Sequence, residues 1–115
     1  MRKVFAFAAV FVLLFCANAF ADQVLATTKT ADAQISAKPI SFYGVVVMPD
    51  GTNDLTVAFY DNTAGSGTHL IPTITFAGDG GAQAFTLPYA IRTNTGLYID
   101  ITTTGTAEYT ILYRW

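Results

Sequence analysis

After residue 21 the chain alternates between short runs rich in Val, Ile, Tyr, Phe and Thr and clusters of Gly, Asn and Asp, with no apolar period of 3.6 residues anywhere. Parallel strands need a crossover of a dozen or more residues, usually a helix. Without one, the chain is left with antiparallel pairing. Seventeen threonines after residue 21 fit a pleated, half-buried surface better than a helix. The clearest strand runs are 41–48, 54–61, 69–76, 82–87, 96–103 and 108–114, with shorter ones at 23–28 and 34–37. Between them, Pro49 to Asn53, Asn62 to Gly67, Gly78 to Gly81, Asn94 to Gly96 and Thr104 to Thr106 supply turn chemistry: Gly and Asn accept positive φ, and Asp and Asn side chains close turns onto their own backbone. The expectation is an all-β fold, a single antiparallel β-sandwich of jelly-roll type behind an N-terminal signal peptide.

Alternation assigns faces, because successive strand residues point to opposite sides of a sheet. Leu55, Val57 and Phe59 share one face, and Leu97, Ile99 and Ile101 share another; both sets read as core. For the last strand, Tyr109, Ile111 and Tyr113 are assigned inward. The continuous run Val45 to Met48 reads as a strand buried on both faces, or as one in the middle of a sandwich.

The first 21 residues have a different composition. Arg2 and Lys3 precede an unbroken apolar run from Val4 to Phe15, and Ala19-Phe20-Ala21 offers a small-x-small cleavage site, with cutting after Ala19 or after Ala21. That is a secretory signal, too short for a comfortable span, which needs about 20 apolar residues. A retained anchor and a lipid attached at Cys16 are the alternatives, the second disfavoured by bulky Phe15 before the cysteine. The division is 1–21 signal peptide, 22–40 a segment with one or two short strands, and 41–115 the sandwich, in a secreted, periplasmic or cell-surface protein with no membrane span in its mature chain. Cleavage would remove the one cysteine, so no disulfide framework is available.

Eight acidic and four basic side chains follow residue 21, a net charge of −4 with the cations scattered, which argues against nucleic acid as a partner. Catalysis has little to work with. His69 is the sole histidine and reads as a solvated strand-edge residue, and no nucleophile elbow is present. Asp100 and Glu108, on neighbouring predicted strands, could approach as a carboxylate pair, but with no aromatic cleft between them a solvated sheet face is the favoured reading. The expectation is a non-enzyme without a cofactor. Asp50, Asn53, Asp54 and Asp79 are the candidate calcium ligands, should two loops meet at one end of the sandwich; ordinary turn chemistry is the competing reading. Tyr60, Tyr98 and Trp115 are the candidate binding residues, since Tyr and Trp combine apolar area with a polar tip and the two tyrosines lie opposite clear core positions.

Two resemblances bear on function. Glu108 to Trp115 alternates and ends on an aromatic residue, which resembles the closing strand of outer-membrane barrels, yet the residues after 21 are too few to close such a barrel in one chain. Gly44-Val45-Val46-Val47, Asp50 to Val57, Tyr60 to Thr63, Gly65 to Thr68 and Asn94 to Asp100 together resemble short β-sandwich proteins encoded in phage and prophage genomes, over residues 41–113. The resemblance implies a small virion- or fibre-associated structural protein; the signal peptide departs from that pattern and points to a bacterial relative or a product displayed after export. The expected partners are a second copy, as a homo-oligomer, or a larger surface assembly. The alternative is a carbohydrate-binding sandwich with a glycan as ligand.

Overall fold

The computed structural model describes residues 23–115, so the signal sequence, its cleavage site and Cys16 lie outside the described residues. Eight strands make up the fold: β1 (Leu25–Lys29), β2 (Ala33–Ser36), β3 (Ser41–Pro49), β4 (Leu55–Tyr60), β5 (His69–Phe76), β6 (Gln83–Arg92), β7 (Leu97–Thr102) and β8 (Ala107–Arg114). They form two four-stranded sheets, a front sheet ordered β1-β8-β3-β6 and a back sheet ordered β2-β7-β4-β5, with every pair antiparallel. Consecutive strands mostly belong to opposite sheets, and only β4 and β5 are both sequential and paired. This strand order is a jelly roll. β1 and β2, from the segment before residue 41, form one edge of each sheet.

The core is the space between the sheets. Phe42, Val45, Val47, Tyr109 and Ile111 project from the front sheet, and Leu55, Val57, Phe59, Leu97 and Ile99 from the back, all fully or almost fully buried. Phe42 and Phe59 meet across the gap with ring centroids 5.3 Å apart. Burying each large side chain contributes roughly 1.5–3 kcal/mol, so this one layer dominates stability. Tyr109 carries the only phenol in the core, and its hydroxyl donates to the Ala31 carbonyl at 2.6 Å. Burial, the charge of Asp32 and neighbouring Tyr98 all push that phenol above its ordinary range. Ile101 and Tyr113, both assigned inward, reach only the rim of the core and are half-buried.

Three sequence expectations are corrected. The Val45 to Met48 run lies in the middle of the front sheet, as the second of its two readings had it, but it is not buried on both faces: Val45 and Val47 are buried, while Val46 and Met48 are 37% and 50% exposed, because nothing in the described chain covers the outer side of the front sheet. β6 runs to Arg92 rather than ending at Leu87. Pro88 sits on an edge strand, where its missing N–H costs no ladder bond, and the register slips between Phe42 and Gly44, so that residues 87–90 bulge outward opposite Tyr43. Asp100 and Glu108 do not approach across neighbouring strands, since β7 belongs to the back sheet and β8 to the front.

Candidate functional site

The outer face of the back sheet is built from the polar half of each alternating strand. In register, Gln34 on β2 lies beside Tyr98 on β7, Tyr98 beside Tyr60 on β4, and Tyr60 beside His69 on β5. This is a cross-strand row with three aromatic rings in it. Tyr60 and His69 meet edge to face, centroids 4.6 Å apart. His69 is therefore exposed on an edge strand, as expected, and also belongs to the aromatic row. The segment 61–68 folds back over this face: Asp61 N–H donates to the Thr68 carbonyl, Asn62 Nδ2 to the Ser66 carbonyl, and Gly65 packs against the Tyr98 ring. A Cβ at Gly65 would stand 3.0 Å from that ring, so a side chain there would require the Tyr98 ring to shift by a few tenths of an ångström. Tyr60 and Tyr98 are accordingly half-buried rather than fully exposed.

One row along the sheet is an acidic pair that sequence reasoning missed. Asp100 faces Asp32, from the turn between β1 and β2, and Asp32 Oδ1 also accepts the Ile101 N–H at 2.7 Å. Burial, then the charge of Asp32 and a hydrogen bond with it, raise Asp100 above the usual carboxylate range. Asp61 moves the other way: partial burial pulls it up, but the N–H groups of Asn94, Thr95 and Gly96 outweigh this and hold it below that range.

The proposed calcium ligands occupy the opposite end of the sandwich, where the loops do meet. Asp50 Oδ1 accepts the N–H groups of Thr52 and Asn53; its Oδ2 accepts Asn53 Nδ2 at 2.8 Å and the Thr106 N–H at 3.2 Å. The Asn53 backbone, then its side chain, then the Thr52 amide hold this carboxyl far below its ordinary value. Asn53 Oδ1 in turn accepts the Thr104 hydroxyl, and Asp54 Oδ1 accepts the Gly78 N–H. Gly78 passes so close to the Asn53 backbone that no Cβ would fit between them. Asp79 stands one residue further on, at the exposed tip of its turn. Asp50, Asn53 and Asp54 thus converge, with their oxygens turned to N–H and O–H donors that staple three turns together. Among the described residues, no three His, Cys, Asp or Glu side chains form a group that could hold a metal ion. Beside these turns an open cleft of about 800 Å³ is bordered by Asp32, Met48, Asp50, Ile101 and Glu108.

Trp115 is outside the tyrosine row, which belongs to the back sheet. It follows β8 on the front sheet, is 61% exposed and stands edge to face on Tyr113, centroids 5.8 Å apart. The most exposed aromatic is Tyr89, at 84%, on the β6 bulge. Its signal in the sequence was Pro88 inside an apolar run.

The outer face of the front sheet has another character. Reading across β1, β8, β3 and β6, one row is Ala26, Leu112, Gly44 and Thr86, and the next is Thr28, Thr110, Val46 and Ala84. Neither row contains a charge. The hydroxyls of Thr28 and Thr110 bond to each other at 2.8 Å, which removes two polar groups from the surface's demand for water. Charges stand only beyond these rows: Glu108 beside Met48 at one end, Arg92 and Arg114 flanking Ser41 at the other. Arg92 Nη1 donates to Ser41 Oγ, and the Arg114 guanidinium lies 5.8 Å from the centroid of the Tyr43 ring.

Comparison of the chain with protein-family models, curated proteins and solved structures returns no match.

Proposed function

We propose that this protein is an exported, non-enzymatic structural or interaction module that works by surface contact, either with further copies of itself or as decoration on a larger assembly. One observation carries the reading: the outer face of the front sheet is uncharged across two full rows while Val46 and Met48 stay exposed on it. Single exposed apolar residues are ordinary, but Val46 and Met48 exposed together on a sheet face whose middle carries no charge suit a contact surface. The resemblance to small phage-encoded sandwiches, which implies a virion- or fibre-associated role, agrees with it. The export half rests on residues 1–21. Expression of the whole gene in a bacterium tests it: intact mass of the extracellular, periplasmic or surface fraction should show a chain beginning at Phe20 or Asp22. An uncleaved chain confined to the cytoplasm overturns it.

A second reading, ligand binding, is favoured by the Tyr98–Tyr60–His69 row and the carboxylates of Asp32 and Asp100 beside it. A row of aromatic rings next to hydrogen-bonding acids suits a glycan. A glycan array tests this reading, with saturable retention that falls on Tyr98→Ala as the expected result. The Asp50–Asn53–Asp54 staple stands at the other end of the sandwich from that row, and Trp115 follows a strand of the front sheet. Calcium titration followed by calorimetry decides whether those turns, with Asp79, take up the ion.

A further inference from the structure

We infer that the outer face of the front sheet pairs with the same face of a second copy, the two sheets running end over end so that Glu108 of each copy meets Arg114 of the other. This rests on the self-association reading above and gives it a geometry.

The charge pattern selects the partner. Along the outward side of β8 the residues are Glu108, Thr110, Leu112 and Arg114: an acid, two uncharged residues, a base. Six residues of strand separate the two charges, roughly 20 Å. A two-fold axis in the plane of contact, perpendicular to the strands and crossing midway between the Thr110 and Leu112 rows, brings the acidic end of each copy over the basic end of the other. An axis along the strands would instead set like ends together, Arg92 and Arg114 against the same pair and Glu108 against Glu108. Only the first arrangement is self-complementary, as an isologous contact must be.

The shapes agree with the charges. The same axis lays the Thr110 row of one copy on the Leu112 row of the other. Val46 then faces Gly44, which offers no side chain; Leu112 faces Thr110; Thr86 faces Ala84; Thr28 faces Ala26. Each larger residue meets a smaller one. Met48 is carried over Ser41, next to Tyr43. Facing sheets pack about 10 Å apart with strands turned by about 30°, which this surface permits because no long side chain stands in its middle.

The area sets the strength. Four strands at about 4.8 Å and roughly seven residues at about 3.3 Å give a flat footprint of about 450 Å² per copy, or about 900 Å² for the pair. That is the size of a weak, reversible dimer, so dissociation in the micromolar range is expected rather than an obligate pair.

The experiment is a charge exchange read by sedimentation equilibrium on the protein as recovered from whole-gene expression. Wild type should show a reversible dimer. E108R alone and R114E alone should each dissociate at least about tenfold more readily, since each homodimer then places like charges together at both ends. An equimolar mixture of the two should return to within a few-fold of wild type, because the mixed pair is complementary at both ends. If the variants dimerise like wild type, or the mixture is no tighter than its parts, the end-over-end arrangement is overturned while self-association stands. A wild type that stays monomeric at every concentration overturns both. Should a reversed chain fail to fold by circular dichroism, Glu108→Gln and Arg114→Gln carry the test. Each should lose most of the salt dependence of the wild-type dimer, and retention of that dependence overturns the pairing.

Discussion

The front and back sheets share one interior and differ outside. Both bury alternating Val, Ile, Leu and Phe in the same layer, yet the outward face of the back sheet carries Tyr60, Tyr98, His69 and Asp100 beside an uncharged row of Thr102, Thr56 and Thr75, and the middle of the front sheet carries Val46, Leu112, Thr110 and Ala84. The back face is engaged by its own chain: the 61–68 segment covers Tyr98, and Asp32 reaches Asp100 from the β1–β2 turn. The front face receives no such cover from the described residues. A sheet whose outer surface is satisfied by its own loops needs no partner to stay ordered, whereas a bare uncharged sheet gains by covering itself. On the proposed reading, association falls to the front face; on the second reading, ligand contact falls to the back.

That contrast can be broken from the inside first. Phe59→Ala removes the ring that bridges the sheets and should cost about 3–5 kcal/mol, a large share of the stability of a domain this small, so that both faces fail together in urea unfolding. Next comes a pair that should separate the faces. Tyr98→Ala should destabilise by about 1–2 kcal/mol and leave association unchanged, whereas Val46→Ser should shift stability by no more than about 0.5 kcal/mol and weaken association several-fold; thermal melts and sedimentation on the same samples check both.

Two carboxylates, Asp61 in the turn after β4 and Asp100 on β7, carry opposite pH signatures. Asp61 is held below its ordinary value of 3.8, so its charge stabilises the fold above that value, and the contribution is lost as pH falls through the folded value. Asp61→Asn should lower Tm at pH 7 and have little effect in strong acid. Asp100 is raised above 3.8, so its charge costs stability at neutral pH, and the cost disappears as pH falls through the raised value. Asp100→Asn should raise Tm at pH 7, and the gain should vanish at low pH. The smallest effect is on the front face, where Thr110→Val loses the bond to Thr28 and should change stability by about 0.5 kcal/mol or less.

Much of the architecture was legible because strand periodicity is local. Leu55, Val57 and Phe59 announce their burial within six residues, and the turn clusters mark where each strand stops. Sheet order is not local. Asp100 and Glu108 are close in sequence, yet their strands go to opposite sheets, while Asp32, 68 positions before Asp100 in the chain, arrives beside it through the edge pairing of β2. The tyrosine pair was recoverable in part: alternation put Tyr60 and Tyr98 outward, but their registry with each other and with His69 depends on which strands are neighbours. The run Val45 to Met48 misled for a chemical reason. Hydrophobicity reports that a face avoids water, without saying whether the same chain or another one covers it, so an exposed contact face and a two-sided core strand read alike.

The central claim is that the bare front face is a contact surface between copies. Sedimentation velocity across a concentration series, on wild type and on Val46→Arg, tests it most directly. The wild-type boundary should move from monomer toward dimer as concentration rises, and the Val46→Arg protein should keep an unchanged melting curve and remain monomeric. A wild type that is monomeric throughout, or a Val46→Arg protein that dimerises as wild type does, would contradict it.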